Sequence, residues 1–133
     1  MGYYFIQQII ESLAQKKINE YVEDIYKKLG IELSYLPLNV MAIDQIAPTE
    51  QDQVFRKQLI QGYVHDMAAA MQGGISGHAG LFANALDVAK VMQMYLQKGT
   101  YGGRTYITEN TFNMFNTCYF CKDGNRRGVG FDK

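Results

Sequence analysis

Apolar residues recur at helical spacing in the first third of the chain. In residues 3–14 and 18–29 they fall at i, i+3, i+4 and i+7, which predicts two amphipathic helices. The faces expected to be buried are Ile6, Ile9, Ile10 and Leu13 in the first helix, and Ile18, Tyr21, Val22, Ile25 and Leu29 in the second. Gly30 is placed to end the second helix, because a glycine readily adopts the positive φ of the C′ position.

Three further helices are predicted downstream. The strongest follows a glycine-rich loop: Asn84 can cap it, Asp87 lies at N3, and Gly99 ends it. Its expected buried face is Val88, Val91, Met92 and Tyr95. Shorter helical segments are predicted after Asp66, through Met-Ala-Ala-Ala-Met, and after Thr108, around Phe112 and Phe115.

Strand signals are weak by comparison. Residues 31–64 are predicted to be irregular, since Pro37 and Pro48 interrupt them. Residues 100–107 are typical of a tight turn that leads into a short strand, and Arg127–Phe131 is typical of the beginning of another. The pattern therefore predicts a mainly α chain of four or five helices with very little sheet.

Composition narrows the class of protein. The 133 residues are 47% hydrophobic and carry a formal net charge of zero, as expected of one soluble domain. Without a stripe of Lys and Arg, nucleic acid is not an expected partner, and no apolar run is long enough for a membrane span. The chain enters a helical pattern at once, with no signal peptide, which predicts an internal piece of a longer protein.

The two cysteines, Cys118 and Cys121, form a C-x-x-C pair. A zinc site needs two more ligands, and the histidines lie far upstream at no finger-like spacing. A redox motif should open a helix after a strand, whereas a turn signal, Lys-Asp-Gly-Asn, follows here. We therefore expect two thiols or a local disulfide near a loop, and no metal ion.

The stretch GGISGHAGLF, residues 73–82, raises the question of catalysis because it places Ser76 two residues before His78. A nucleophile elbow requires G-x-S-x-G, and here His78 occupies the last position. In an extended segment the two Cα atoms are about 6–7 Å apart, which does not by itself give a productive hydrogen bond. No particular acid is indicated as the third member. We therefore predict that Ser76 is not a nucleophile, with a catalytic Ser76–His78 pair as the alternative.

Other catalytic patterns are missing from the chain. None of the three serines is followed by Lys three residues later, and there is no K-T-G, H-E-x-x-H or Walker loop. His65 and Asp66 could form an acid–imidazole pair, but helix capping by Asp66 explains that residue equally well. No catalytic residue is therefore assigned within residues 1–133.

The middle of the chain nevertheless resembles a known family. GYVHDMAAAMQGGISGHAGLFANALDVAKVMQMYLQKGTYGGRTYI (62–107) resembles the β-lactamase-related serine hydrolases, which include class C β-lactamases and penicillin-binding carboxypeptidases. It contains the family's V-H-D-x-x-A segment, glycine loop, D-x-A helix and Y-G-G turn. Ser76 stands where alanine is usual, and Ala83-Asn84 where Ser-Thr or Ser-Asn is usual. Residues 46–66 and 124–133 are similar to the hydrolase domain fused to bacterial glycoside hydrolase family 3 β-N-acetylglucosaminidases.

The resemblance implies that the catalytic motifs of the family lie outside residues 1–133. In this family the nucleophile is the Ser of S-x-x-K, a Tyr of Y-x-N or Y-S-D assists proton transfer, and a K-T-G or H-T-G strand closes the cleft. The chain would begin after the tyrosine motif, so that Tyr3 and Tyr4 fall on the next helix, and would end before the last motif. Residues 1–133 are then a single partial domain, the helical subdomain of a β-lactamase/transpeptidase-like fold that is α+β in its parent.

The resemblance also implies a role and partners. The loop would form a wall of the cleft, with His78, Ala79 and Gly80 contacting substrate, and no cofactor or metal is implied. Its partner would be the remainder of the parent domain, a bacterial hydrolase of the periplasm or cell envelope, and uncovered apolar faces would favour a homodimer of the isolated chain. The alternative interpretation is a stand-alone helical binding domain without hydrolase activity.

Overall fold

Residues 2–130 are described here by a computed structural model. Their helices are α1 (Gly2–Ala14), α2 (Ile18–Lys28), α3 (Met67–Met71), α4 (Ala85–Leu96) and α5 (Glu109–Asn116). Two antiparallel hairpins pair β1 (Pro48–Gln51) with β2 (Leu59–Gln61), and β3 (Thr100–Tyr101) with β4 (Arg104–Thr105). Single 3₁₀ turns lie at Pro37–Asn39, Ile43–Gln45 and Cys121–Asp123. The prediction of a mainly α chain with little sheet is confirmed.

The chain divides into two compact units, one ending at Asn84 and the other beginning at Ala85. In the first unit, α2 ends as its sequence predicts. Gly30 adopts a φ of 66°, its N–H donates to Lys27 O, and the N–H of Ile31 donates to Tyr26 O at 3.0 Å. These two bonds are the Schellman pattern, which satisfies carbonyls that the helix leaves open. Leu29 and Ile31 are buried beside this turn and belong to the apolar core of the unit.

Residues 31–64 are less irregular than predicted, since they contain β1 and β2. The strands pair antiparallel with Glu50 opposite Ile60, and the register shifts between Pro48 and Glu50. Pro48 is the first residue of β1, where a missing N–H is tolerated. Strands of four and three residues are too short to show a clear alternation of apolar and polar positions, so the pattern along the chain does not predict them.

Arg56 holds the connection between β1 and β2 to the segment that precedes α3. Its guanidinium donates to Asp52 Oδ2 at 3.0 Å, to Glu50 Oε1 at 3.1 Å, to Val64 O at 2.6 Å and to His65 O at 2.7 Å. Asp52 is buried and also accepts the N–H groups of three residues that follow it. These amides, that of Arg56 first, hold the pKa of the Asp52 carboxyl far below its usual range.

The second unit also follows its local sequence signals. Gly99 ends the turn after α4 with a φ of 98°, and its carbonyl accepts the N–H groups of Tyr106 and Ile107. Gly102 and Gly103 both have positive φ and form the two-residue turn between β3 and β4, as a type I′ hairpin requires. Thr108 caps α5 by accepting the N–H of Thr111 at 3.2 Å.

The end of the second unit differs in part from prediction. Cys118 and Cys121 form a disulfide, which is one of the two arrangements expected. Residues 127–130 are not a strand, so the predicted strand Arg127–Phe131 is wrong over that part, and Phe131 lies outside the described residues. Gly128 instead lies against the C-terminal turn of α5, where an added Cβ would be 2.6 Å from Phe115 O.

Burial departs most from the predicted apolar faces in α1 and α4. In α1 the buried residue is Gln7, 6% exposed, whereas Ile6, Ile9 and Leu13 are 50%, 57% and 82% exposed. In α4, Asp87 and Met94 are buried, whereas Val88 and Met92 are exposed. The second helix is mixed: Ile18 and Leu29 are buried as predicted, and Tyr21 and Ile25 are exposed. Spacing identifies an apolar stripe, but it does not determine what covers the stripe.

We expect Arg56→Lys to lower the free energy of unfolding by about 1–3 kcal/mol, the usual cost of leaving a buried polar group without its partner. An ammonium group cannot reproduce the planar fork that reaches the Val64 carbonyl and two carboxylates together. Urea denaturation would measure the loss.

Lys57→Arg is the matched control, because Lys57 is the exposed neighbour of Arg56 in the same connection and should change stability by less than about 0.5 kcal/mol. Equal urea midpoints for Arg56→Lys and the unchanged protein would show that the guanidinium does not organise this connection.

Candidate functional site

The glycine loop, residues 73–80, begins directly after α3 and folds back on itself. Gly73, Gly74 and Gly80 all have positive φ, at 82°, 85° and 116°. An added Cβ at Gly80 would stand 2.2 Å from Gly74 O, so the two ends of the loop approach more closely than a side chain permits. The glycines therefore permit a close approach of the backbone to itself within this loop.

Asp66 joins this loop to α3. Its side chain caps the helix, accepting the N–H of Ala69 at 2.8 Å, and Oδ1 also lies 2.9 Å from His78 Nε2. The Ala69 amide first, and then the His78 ring, lower the pKa of the Asp66 carboxyl. The predicted cap is confirmed. The imidazole that Asp66 pairs with belongs to His78, twelve residues away, and not to the adjacent His65.

Ser76 completes a series of three side chains. Its Oγ lies 2.8 Å from His78 Nδ1, a hydrogen bond that an extended segment would not by itself give. The loop is bent rather than extended, and the acid that the sequence did not indicate is Asp66. Serine, imidazole and carboxylate therefore stand in the order used by serine hydrolases.

Accessibility separates this series from a catalytic triad. Ser76 is 1% exposed, and its hydroxyl also faces Gln72 Oε1 at 3.2 Å and Gln7 Oε1 at 3.5 Å. A nucleophile must reach the substrate carbonyl, whereas this hydroxyl is enclosed by protein. That Ser76 is not a nucleophile stays a prediction, and the enclosure of its hydroxyl favours it.

His78 is held at both ring nitrogens. Because Asp66 is ionised, Nε2 carries the proton that it donates to the carboxylate, which leaves Nδ1 to accept from the Ser76 hydroxyl in the neutral ring. The His78 side chain is still 26% exposed, while Ala79 is half-buried and Gly80 is buried. Contact between substrate and these three residues stays a prediction. In this arrangement His78 can offer the face and edge of its ring, with no free nitrogen for proton transfer.

An open cleft of about 570 Å³, which Asp66 also lines, lies between β1 and α3. His65 Nε2 stands there, 3.1 Å from Glu50 Oε2, and Met67 and Ala68 add apolar wall. Among the described residues, no group of three or more His, Cys, Asp or Glu side chains is placed to hold a metal ion. Over residues 2–130, no helix is both long and apolar enough to cross a bilayer.

The lowered pKa of Asp66 predicts a pH dependence of stability. A carboxylate stabilised by folding contributes most above its unfolded pKa, here 3.8, and this contribution is lost as the pH falls through the lower folded value. We therefore expect the free energy of unfolding at pH 7 to be larger for the unchanged protein than for the Asp66→Asn variant. This difference should shrink as the pH falls below about 3.8. Chemical denaturation at a series of pH values measures it.

Asn retains a capping oxygen, so Asp66→Asn removes the charge and leaves the cap. Asp66→Ala removes both and should be less stable than Asp66→Asn at every pH, by about 0.5–2 kcal/mol. A difference between the protein and Asp66→Asn that stays constant from pH 7 to pH 3 would contradict this account of the carboxylate.

Comparison with known proteins finds relatives along most of the chain. A protein of Escherichia coli K12 named "Putative D-alanyl-D-alanine carboxypeptidase" is 36% identical over 131 aligned residues, which take in 88% of this chain and 30% of that protein. A protein of the same name from Salmonella agona is 37% identical over 129 residues. "N-acetylmuramyl-L-alanine amidase" of Bacillus subtilis 168 is 31% identical over 129 residues, 86% of this chain and 29% of that protein.

The chain spans about 30% of the length of the curated relatives it matches. No protein-family model matches it, and no solved structure matches it. The similarity relates the chain to hydrolases, while the narrower resemblance to β-lactamase-related serine hydrolases stays a prediction.

Proposed function

We propose that the chain forms the helical wall of the active-site cleft in a larger serine hydrolase that acts on peptidoglycan. The observation that carries this proposal is the similarity, along 86–88% of the chain, to relatives named for carboxypeptidase and amidase activity. Both names describe cleavage of an amide bond next to an alanine. Attack of a serine on the amide carbonyl, followed by hydrolysis of the acyl-enzyme, is one chemistry that serves both bonds.

In this proposal the chain supplies the wall of the cleft, and its partner, the remainder of the parent domain, supplies the nucleophile and its base. Ser76 is enclosed, and both nitrogens of His78 are already engaged. The contribution of the loop is then a fixed surface, formed by the His78 ring, Ala79 and the backbone near Gly80. The glycines support this role, because they allow a ligand as well as protein to approach the backbone closely.

The disulfide supports a place for the parent in the periplasm or cell envelope. Disulfides persist in oxidising compartments and are rare in reducing ones, and Cys118 and Cys121 are joined. Peptidoglycan is a polymer of that same compartment, so the proposed substrate and the disulfide are consistent with each other.

We expect the chain to bind, and not to cleave, a synthetic peptide that ends in D-alanyl-D-alanine. Binding should shift the amide resonances of His78, Ala79 and Gly80 in a ¹H–¹⁵N titration, because these residues form the proposed contact surface. Nitrocefin hydrolysis should stay at the buffer rate, and a fluorescent penicillin should label nothing, since the enclosed Ser76 is not an activated nucleophile.

His78→Ala should weaken the peptide-induced shifts, and His65→Ala serves as the control because the His65 ring pairs with Glu50 in the cleft between β1 and α3. Stoichiometric penicillin labelling at Ser76 would overturn the assignment of catalysis to the rest of the parent. Shifts confined to residues around His65 would point to a stand-alone binding domain whose ligand enters that cleft.

The exposed stripe of α1 supports the expectation that another surface covers this helix in the parent. Ile6, Ile9 and Leu13 are all at least half exposed, and reburial of apolar area contributes about 25 cal/mol per Å². In the absence of the remainder of the domain, we propose that a second copy of the chain covers the same stripe.

We therefore expect the isolated chain to self-associate, and Ile9→Lys to weaken the association by about tenfold or more, since a charge in an apolar contact is costly. Sedimentation equilibrium at micromolar concentrations measures this. Gln8→Lys is the control, being the exposed neighbour of Ile9 on the same helix. A 15.1 kDa monomer at all concentrations would show that the stripe does not drive association.

A further inference from the structure

Gln7 is the exception in α1, a helix whose apolar residues are largely exposed. It is 6% exposed, and among the residues of this helix it is the one that is buried. A long polar side chain is seldom buried unless its polar atoms are bonded. The hydrogen bonds of the Gln7 carboxamide therefore identify what this side of α1 contacts.

The oxygen of that carboxamide faces the glycine loop. Oε1 accepts the backbone N–H of Gly77 at 2.9 Å and lies 3.5 Å from the Ser76 hydroxyl. Gly77 is the loop residue immediately before His78, so one side chain of α1 fixes the backbone at the start of the proposed contact surface.

The nitrogen of the carboxamide faces the opposite way. Nε2 donates to Glu11 Oε1 at 3.2 Å, and that oxygen also accepts the N–H of Ile18 at the start of α2. The orientation of the amide is thus set at both ends: an acceptor is needed toward Gly77 and a donor toward Glu11. Gln7 cannot turn over without losing both bonds.

Gly77 and α1 also touch directly. An added Cβ at Gly77 would stand 2.6 Å from Tyr3 O and 3.1 Å from Gln7 Cβ. The loop is therefore pressed against the helix backbone, with no room for a side chain between them. Any change in the position of α1 at Tyr3 and Gln7 must move Gly77, and with it the start of the contact surface.

We infer that Gln7 is a positioning residue, which sets the place of residues 77–80 through the Gly77 amide and so determines how His78 is presented to ligand. The inference rests on the proposed function for the identity of the ligand, but its structural part does not. Gln7 holds the loop from α1, and Asp66 holds it from α3 through the His78 ring. The loop is thus attached to side chains of two different elements, α1 and the N-cap of α3.

The test replaces Gln7 by Met, which keeps the length of the side chain and its helix propensity but offers no strong acceptor to Gly77. Loss of one hydrogen bond corresponds to roughly a tenfold change in a local equilibrium. We expect the amide of Gly77 to exchange with solvent about tenfold faster, and the D-alanyl-D-alanine peptide to bind about tenfold more weakly. Amides within α2 should keep their exchange rates.

Gln8→Met is the matched control, since Gln8 is the exposed neighbour on the same helix, and it should leave Gly77 exchange and peptide binding unchanged. Should Gln7→Met unfold the first unit, Gln7→Glu replaces it as the test. The carboxylate still offers an oxygen to the Gly77 amide but loses the donor to Glu11, so Gly77 should remain slow in a folded protein.

Slow Gly77 exchange in folded Gln7→Met, or fast exchange in folded Gln7→Glu, would overturn the inference. Peptide binding unaffected by Gln7→Met despite fast Gly77 exchange would overturn the claim that the loop presents His78 to ligand. Fast Gly77 exchange in Gln7→Met, together with no peptide binding by the unchanged chain, supports the positioning of the loop and contradicts the proposed function instead.

Discussion

The carboxylate of Asp66 serves two partners, and the site depends on this double use. As the N-cap of α3 it satisfies the amide of Ala69, and through the same oxygen it bonds the ring of His78. A capping interaction is local, because it depends on residues three apart, whereas the bond to His78 closes a segment of twelve residues. One side chain therefore couples the beginning of a helix to the far end of the loop that follows it.

This coupling explains why a loop with so many glycines can present a defined surface. Glycine raises the conformational entropy that must be lost on folding, and a glycine-rich segment without anchors would not hold His78 in one place. Here Gly74 and Gly80 close the loop on itself, Gly77 lies against α1, and His78 is bonded to Asp66. The glycines permit the close contacts, and the polar side chains make them specific.

Much of the local structure could be predicted from the sequence, because its causes are local. The caps at Asp66 and Thr108, the C′ role of Gly30 and the turn at Gly102 and Gly103 each depend on a few neighbouring residues. The Asp66–His78 bond could have been anticipated as one of several acid–imidazole pairs, but no spacing selects it. Gln7 carried no signal, since a polar residue beside an apolar stripe of an amphipathic helix is ordinarily expected to face solvent.

Burial in α1 is reversed relative to its amphipathic pattern. In α1 the stripe that amphipathic spacing selects is exposed, and a polar side chain, Gln7, contacts the loop. An exposed apolar stripe is unfavourable for a helix that packs only against this unit, because apolar area stabilises a fold only when it is removed from water. It is explained if α1 lies between two surfaces, with its polar side positioning the loop and its apolar side meeting a larger body. The series of Ser76, His78 and Asp66 has the order of a catalytic triad, but its serine hydroxyl is enclosed by protein, and its hydrogen bonds fasten the glycine loop to the start of α3.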